Sequence, residues 1–228
     1  MKNILIIIKK QIKDTLKNKT ILIQFIMFPI LTLIMERAVQ FDGMQELFFT
    51  RLFSTMYIGM APLMSVAAII SEEKEKNTLR VLMMANVKPF QYLIGVGTYV
   101  WIICMIGAGI MATGLEAKDI GLYLCIMGIG FIISILAGAC IGVYSKNQMT
   151  ATSLVLPVML ILAFMPMLSI FNEKIAKVAK VFYTKQIQDI INEMSFSKLN
   201  SQSAVIMLIN VALLIALFVL AYRKKGLE

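Results

Sequence analysis

Histidine is absent from this 228-residue chain, and charged side chains make up only 15% of it. Without imidazole there is no histidine proton relay and no Ser-His or Cys-His pair, and a metal site would lack its commonest ligand. The three cysteines, Cys104, Cys125 and Cys140, stand inside apolar runs with no CxxC spacing. That is the pattern of small buried apolar residues, not of redox or metal chemistry. No G-x-x-x-x-G-K-[ST] phosphate loop occurs, so the chain does not bind ATP in that way. No serine, cysteine or carboxylate is set beside a plausible base. We assign no catalytic residue and no metal site; by this reading the chain is not an enzyme by itself. The apolar stretch 4–8 is too short for a cleavable signal peptide, and no small-residue cleavage pattern follows it.

What is there is hydrophobic: 59% of the residues, too much for one water-soluble core of this size. Six uncharged runs, 20–35, 52–71, 89–115, 120–145, 147–172 and 199–222, are separated by short charged stretches. At 1.5 Å per residue, five cross a hydrocarbon core of about 30 Å. The first run is short and needs snorkelling by Lys19 and Arg37 or local thinning. The expected fold class is therefore all-α, a polytopic membrane protein with six transmembrane helices (TM1–TM6) in one domain, 1–228. Residues 1–19 form an interfacial amphipathic helix: Ile4, Leu5, Ile8, Ile12 and Leu16 make an apolar stripe opposite Lys9, Lys10, Lys13 and Lys17. Each lysine contributes about 1 kcal/mol against anionic lipid.

The net charge of +9 has no aromatic interleaving of the kind that grips nucleic acid, so membrane lipid is its partner. With both termini inside, the cytoplasmic stretches hold 14 Lys/Arg against 5 Asp/Glu, and the other side holds 8 of each. The positive-inside rule then places the N- and C-termini in the cytoplasm. Pro29, Pro62, Pro157 and Pro166 fall inside spans, where kinks or local unwinding are expected. TM4 carries Gly130, Ser134, Gly138 and Gly142, a small-residue face for close helix packing that is either static or slides during transport. Stripes at Ile175, Val178 and Phe182, and at Ile187, Ile190, Ile191 and Met194, predict two short amphipathic helices within 172–203. These lie on lipid headgroups outside the cell or cover an exit path.

Ion-coupled carriers keep ionisable groups at mid-depth, and here the nearest, Glu36 and Glu116, fall at expected helix ends. Energy for transport must then arrive through a cytoplasmic contact. The loop 72–88 suits that role: Ser71 is placed to cap a helix whose first turn holds Glu72, Glu73 and Glu75, and Leu79, Leu82 and Met83 form an apolar ridge. On physics alone, a docking helix and an ordinary interfacial loop fit equally well.

Glu72, Glu73, Lys74, Glu75, Lys76, Asn77, Thr78 and Leu79 in succession, then Leu82, and Gly95 early in TM3, resemble the E-R-E-x-G-T-L-x-x-L-L segment of ABC-2-type ABC transporter permeases. Asn77 stands where glycine is usual, and asparagine tolerates the same left-handed backbone. Asn86 lies near a usual proline, and Val96 takes a position where lysine often follows the glycine. The resemblance implies that the loop is a coupling helix contacting a separate ATPase subunit through Glu72, Glu73, Glu75, Thr78, Leu79, Leu82 and Met83. It also implies that ATP and magnesium belong to that subunit, with no cofactor on this chain. A second copy of the chain or a similar permease is the expected membrane partner. In size and general look the chain is similar to bacterial exporters of bacteriocins or phenol-soluble modulins, which makes an amphipathic peptide the expected cargo. Met56, Met60 and Met64, repeating down TM2, either line its path or pack against neighbours. A membrane-embedded immunity or sensor protein, and an exporter of lipid-like molecules or drugs, are the alternatives.

Overall fold

In the computed structural model, residues 2–39, 46–194 and 201–225 are described, and every element among them is helical. Six helices are long and apolar enough to cross a membrane. Helix α1 (Lys2–Lys17) leads to α2 (Lys19–Ala38), whose start is capped by the Asn18 side chain accepting from the Ile21 amide. Helix α2 is longer than the uncharged run that marks it, because Lys19, Glu36 and Arg37 join its ends. Helix α3 (Phe48–Glu75) follows. Its start has no cap of its own; Glu36 of α2 reaches across and accepts from the Thr50 amide at 2.9 Å and its hydroxyl at 3.1 Å. An acid at this positive helix end is stabilising, which is why Glu36 serves as a cap at the rim of the bundle.

A short α4 (Thr78–Met84) precedes α5 (Pro89–Met111), which Pro89 opens at its first position. A 3₁₀ turn, Ala112–Gly114, links it to α6 (Ala117–Tyr144). The fifth span is broken, as its prolines foretell. Helix α7 (Gln148–Met159) passes into a π-helical turn, Leu160–Phe164, and then α8 (Met165–Leu168), with Pro157 and Pro166 on either side of the turn. Helices α9 (Glu173–Ala179) and α10 (Tyr183–Glu193) lead to α11 (Ser201–Lys225). The expected surface segment up to residue 203 is described except for 195–200.

Helix α3 is the hub, packed against α2, α5, α6, α7 and the π turn. Its closest neighbour is α6, and the small-residue face decides how close. A Cβ on Gly138 would lie 2.5 Å from the Leu63 carbonyl oxygen, and one on Gly142 2.8 Å from the Ile70 Cβ. Gly130 admits Ile58 and, from α10, Ile187. Gly59 of α3 makes the same allowance for the backbone of the π turn at Leu162 and Ala163. Around these contacts Tyr57, Tyr123 and Tyr183, all buried, satisfy their hydroxyls within the protein. Tyr57 donates to the Phe25 carbonyl at 3.1 Å, and Tyr123 shares a bond with Ser54 at 2.6 Å. Tyr57 meets Phe131 edge-on, with ring centroids 5.5 Å apart.

Two expectations are corrected here. Helix α10 does not lie on the surface: Tyr183, Ile187, Ile190 and Ile191 are buried against α3 and α6. Ser134 donates to the Ile58 carbonyl at 2.6 Å, so the Tyr183 hydroxyl, also at 2.6 Å, must donate to Ser134. Helix α10 also carries an ion pair, Lys185 to Asp189 at 2.8 Å, so charge comes closer to the bundle than the span pattern implied. The apolar stripe of α1 faces outward, as an interfacial helix requires: Leu5, Ile12 and Leu16 are exposed, while Ile7, Gln11 and Thr15, outside the stripe, are buried. Of the three cysteines only Cys104 is buried; Cys140 is intermediate and Cys125 exposed.

Candidate functional site

The acidic run Glu72–Glu75 closes the last turn of α3 and does not open a new helix. Ser71 is no N-cap; its hydroxyl donates to the Ala68 carbonyl of its own helix at 3.1 Å. Carboxylates at the negative end of a helix are unfavourable by themselves, so partners must compensate them. Each of the four charged residues reaches a different partner.

Glu73 is buried, and its Oε1 accepts from Lys10 and, at 2.7 Å, from Gln11 of α1. Lys10 also pairs with Asp14 at 2.9 Å. Burial pushes the Lys10 ammonium down, but the hydrogen bonds and charges of Glu73 and Asp14 outweigh it and raise its pKa above the usual lysine value. Glu72 accepts from Asn18 at 3.3 Å and pairs with Lys76. The Lys74 ammonium donates to the Val143 carbonyl at 2.7 Å, one of the open carbonyls at the end of α6. Glu75 accepts from the Gln148 amide at 2.9 Å, the first amide of α7. Lys74 and Glu75 thus complement opposite dipole ends across the turn at residues 145–147. The end of α3 fastens α1, the start of α2, the end of α6 and the start of α7.

Helix α4 hangs from the same point. Asn77 turns the chain with φ 56°, in the left-handed region that its substitution for glycine implied, and the Thr78 hydroxyl donates to the Glu73 carbonyl at 3.1 Å. The apolar ridge expected to dock a partner points inward. Leu79 is 1% exposed, and Leu82 and Met83 pack on the core from its edge. The outward face consists of Arg80, Val81 and Met84, with Val81 58% and Met84 74% exposed. A seven-residue helix at a membrane surface has two apolar faces here, and periodicity alone does not say which one the bundle takes.

Between α1, α2, α3 and α4 lies a polar cavity of about 730 Å³, bounded by Lys10, Asp14, Asn18, Glu72, Glu73 and Lys76 among others. The Tyr92 hydroxyl of α5 is buried beside the Glu73 carboxylate. Gln11, Asn18, Tyr92 and Gln148 were not singled out from the sequence, and Lys10 was read there only as a cation facing lipid headgroups. Gln11 and Thr15, in line with Ile7 and between the apolar and basic faces of α1, were the available signal.

The other candidates are scattered. Gly130, Ser134, Gly138 and Gly142 form the α3–α6 seam inside the protomer. Met56 is part of the core, while Met60 and Met64 pack at its margin. Among the described residues no group of three His, Cys, Asp or Glu side chains is placed to hold a metal ion.

Comparison with curated proteins finds no match. A family model described as ABC-2 family transporter protein matches residues 1–223. Covering nearly the whole chain, and agreeing with six apolar helices and the motif at the end of α3, this match shows that the chain belongs to the ABC-2 family of transporter permeases, multi-pass membrane subunits without an ATPase site of their own whose partner is an ABC ATPase.

Proposed function

We propose that this chain is the permease subunit of a bacterial exporter in the plasma membrane, driven by ATP and magnesium held on the partner ATPase. The single observation that carries the reading is the fastening of α1, α6, α7 and α4 to one end of the central helix α3. A push on α4 is delivered to three other elements at once, and α3 carries it along the bundle to Tyr57 and Ser54. Both termini and α4 are cytoplasmic in this reading, on the basic-residue count. The ATPase groove takes Arg80, Val81 and Met84, while Leu79, Leu82 and Met83 hold α4 to the permease. The Glu72–Glu75 run acts behind the contact, not in it.

Two permeases work together, a second copy or a similar chain, and the thinly buried faces of α2 and α7 supply the apolar surface for pairing. The cargo is an amphipathic peptide, a bacteriocin or toxin, because the charged side chains of the spans stand near helix ends and leave little to select a small ion. A lipid-like molecule is the runner-up cargo. The test uses the intact complex. Val81→Asp and Met84→Asp each desolvate a charge in the groove and should lower cargo-stimulated ATP hydrolysis about tenfold or more while membrane insertion stays normal. Undiminished stimulation in both variants would assign the exposed face of α4 to lipid.

A further inference from the structure

Helices α5, α6 and α11 enclose an open groove of about 600 Å³ whose lining includes no residue of α3. Its lining is aliphatic and aromatic, with Thr98 the only hydroxyl. Along α5 it runs from Phe90 to Trp101, roughly 16 Å at the helical rise and about half of a 30 Å hydrocarbon core. The deep end is fixed: the Trp101 indole donates to the Gly128 carbonyl of α6 at 3.1 Å, which ties the floor of the groove to its wall. The Cys140 thiol, donating to the Leu214 carbonyl at 3.3 Å, holds α11 against α6.

The mouth has a different chemistry. Phe90 stands in the first turn of α5, and Phe218 stacks on Tyr222 near the end of α11, with ring centroids 6.2 Å apart. Beyond those rings come exposed cations, Lys88 on one side and Arg223 and Lys224 on the other. A tyrosine at the rim and cations beyond it match the headgroup level of a leaflet. The trough is one leaflet deep, apolar to its floor and cationic at its mouth.

We infer that this groove is a binding site for an anionic phospholipid, one acyl chain lying along α5 to Trp101 and the phosphate held by Lys88, Arg223 and Lys224 with the Tyr222 hydroxyl. A second copy of the chain fits less well, since two-fold pairing through this face would bring two cationic mouths together at the same depth. The site is independent of the cargo; only its assignment to the cytoplasmic leaflet rests on the topology proposed above.

Trp101 is the only tryptophan of the chain and reports on the site directly. The full chain is reconstituted in phosphatidylcholine vesicles containing a minor fraction of phosphatidylglycerol, with bromine on the acyl chains of one lipid or the other. At equal mole fraction, brominated phosphatidylglycerol should quench Trp101 at least about fivefold more than brominated phosphatidylcholine, the factor that one surface cation alone contributes. The net charge of +9 attracts anionic lipid everywhere, so the deciding variant is Lys88→Gln, Arg223→Gln and Lys224→Gln combined, which should erase the preference. Gly97→Leu, which places a side chain in the groove beside Ile135, should reduce quenching by both lipids. Equal quenching in the native chain, or a preference that survives the triple change, overturns the proposal. Absence of quenching by either lipid overturns it too and gives the groove to a protein surface. An inverted topology would move the mouth to the other leaflet and leave every one of these readings unchanged in symmetric vesicles.

Discussion

Glu73 illustrates why one carboxylate can matter more than its neighbours: it is buried, and one of its oxygens accepts from two donors on a helix that precedes it by two spans. Glu73→Ala leaves Gln11 without its acceptor and Lys10 with Asp14 alone, and α1 should lose about 2 kcal/mol of docking free energy. A Lys10 and Glu73 double-mutant cycle should give a coupling of about 1 kcal/mol, modest because Lys10 remains partly in water. Amide exchange across α1 measures both. The pH dependence follows from the raised Lys10 pKa. The stabilisation from a raised ammonium is fully present below the ordinary lysine value and is lost as pH climbs through the docked value. Protection of α1, corrected for intrinsic exchange, should therefore stay flat through the neutral range and fall only at strongly alkaline pH. A loss on mild acidification would remove Lys10 as the controlling group. None of this was legible in the sequence, where Glu73 reads as one acid among three, because its partners lie 62 and 63 residues away.

At the scale of elements, the sequence was informative wherever a pattern is local. Apolar run length found the six spans, Pro157 and Pro166 bracketed the π turn, and Asn77 announced the left-handed turn before α4. It misplaced what depends on which face a neighbour takes: the ridge of α4 and the burial of α10. In an apolar solvent, outward and inward faces are equally hydrophobic, so periodicity loses the meaning it has in water. The small-residue face of α6 is the exception, because only close backbone approach needs it. Gly138→Ala should destabilise the bundle by roughly 1–3 kcal/mol, since the added methyl meets a backbone oxygen that cannot step aside. Gly121→Ala on the same helix meets nothing within 4 Å and should be neutral or slightly stabilising through helix propensity. Thermal unfolding in detergent compares the two, and equal effects would show that α3 and α6 are not in contact at Leu63.

For the whole molecule, the distribution of buried surface is uneven. The span of α3 is 78% buried and that of α11 only 6%, so the chain has a firm centre and one outer span that packs chiefly along one seam with α6 and turns the rest of its surface outward. Topology is the property to measure first. Single cysteines at Lys76 and Lys180, in a background without Cys104, Cys125 and Cys140, should react with an impermeant thiol reagent from opposite sides. Reaction of both from outside would sink the arrangement with cytoplasmic termini.

The seating of α1 also sets an order of assembly. Its buried face meets Gly95, and Asn3 donates to Gln91 at 3.1 Å across 88 positions, yet α1 leaves the ribosome before any of those residues exist. During synthesis the helix must wait on the bilayer surface, held there by Leu5, Ile12, Leu16 and its lysines, until α5 has been inserted. The lipid-facing stripe of α1 is thus the device that stores the N-terminus in place while its socket is being made. A nascent chain stalled before Pro89 should show α1 bound to membrane but open to protease, and one stalled after Met111 should show it protected.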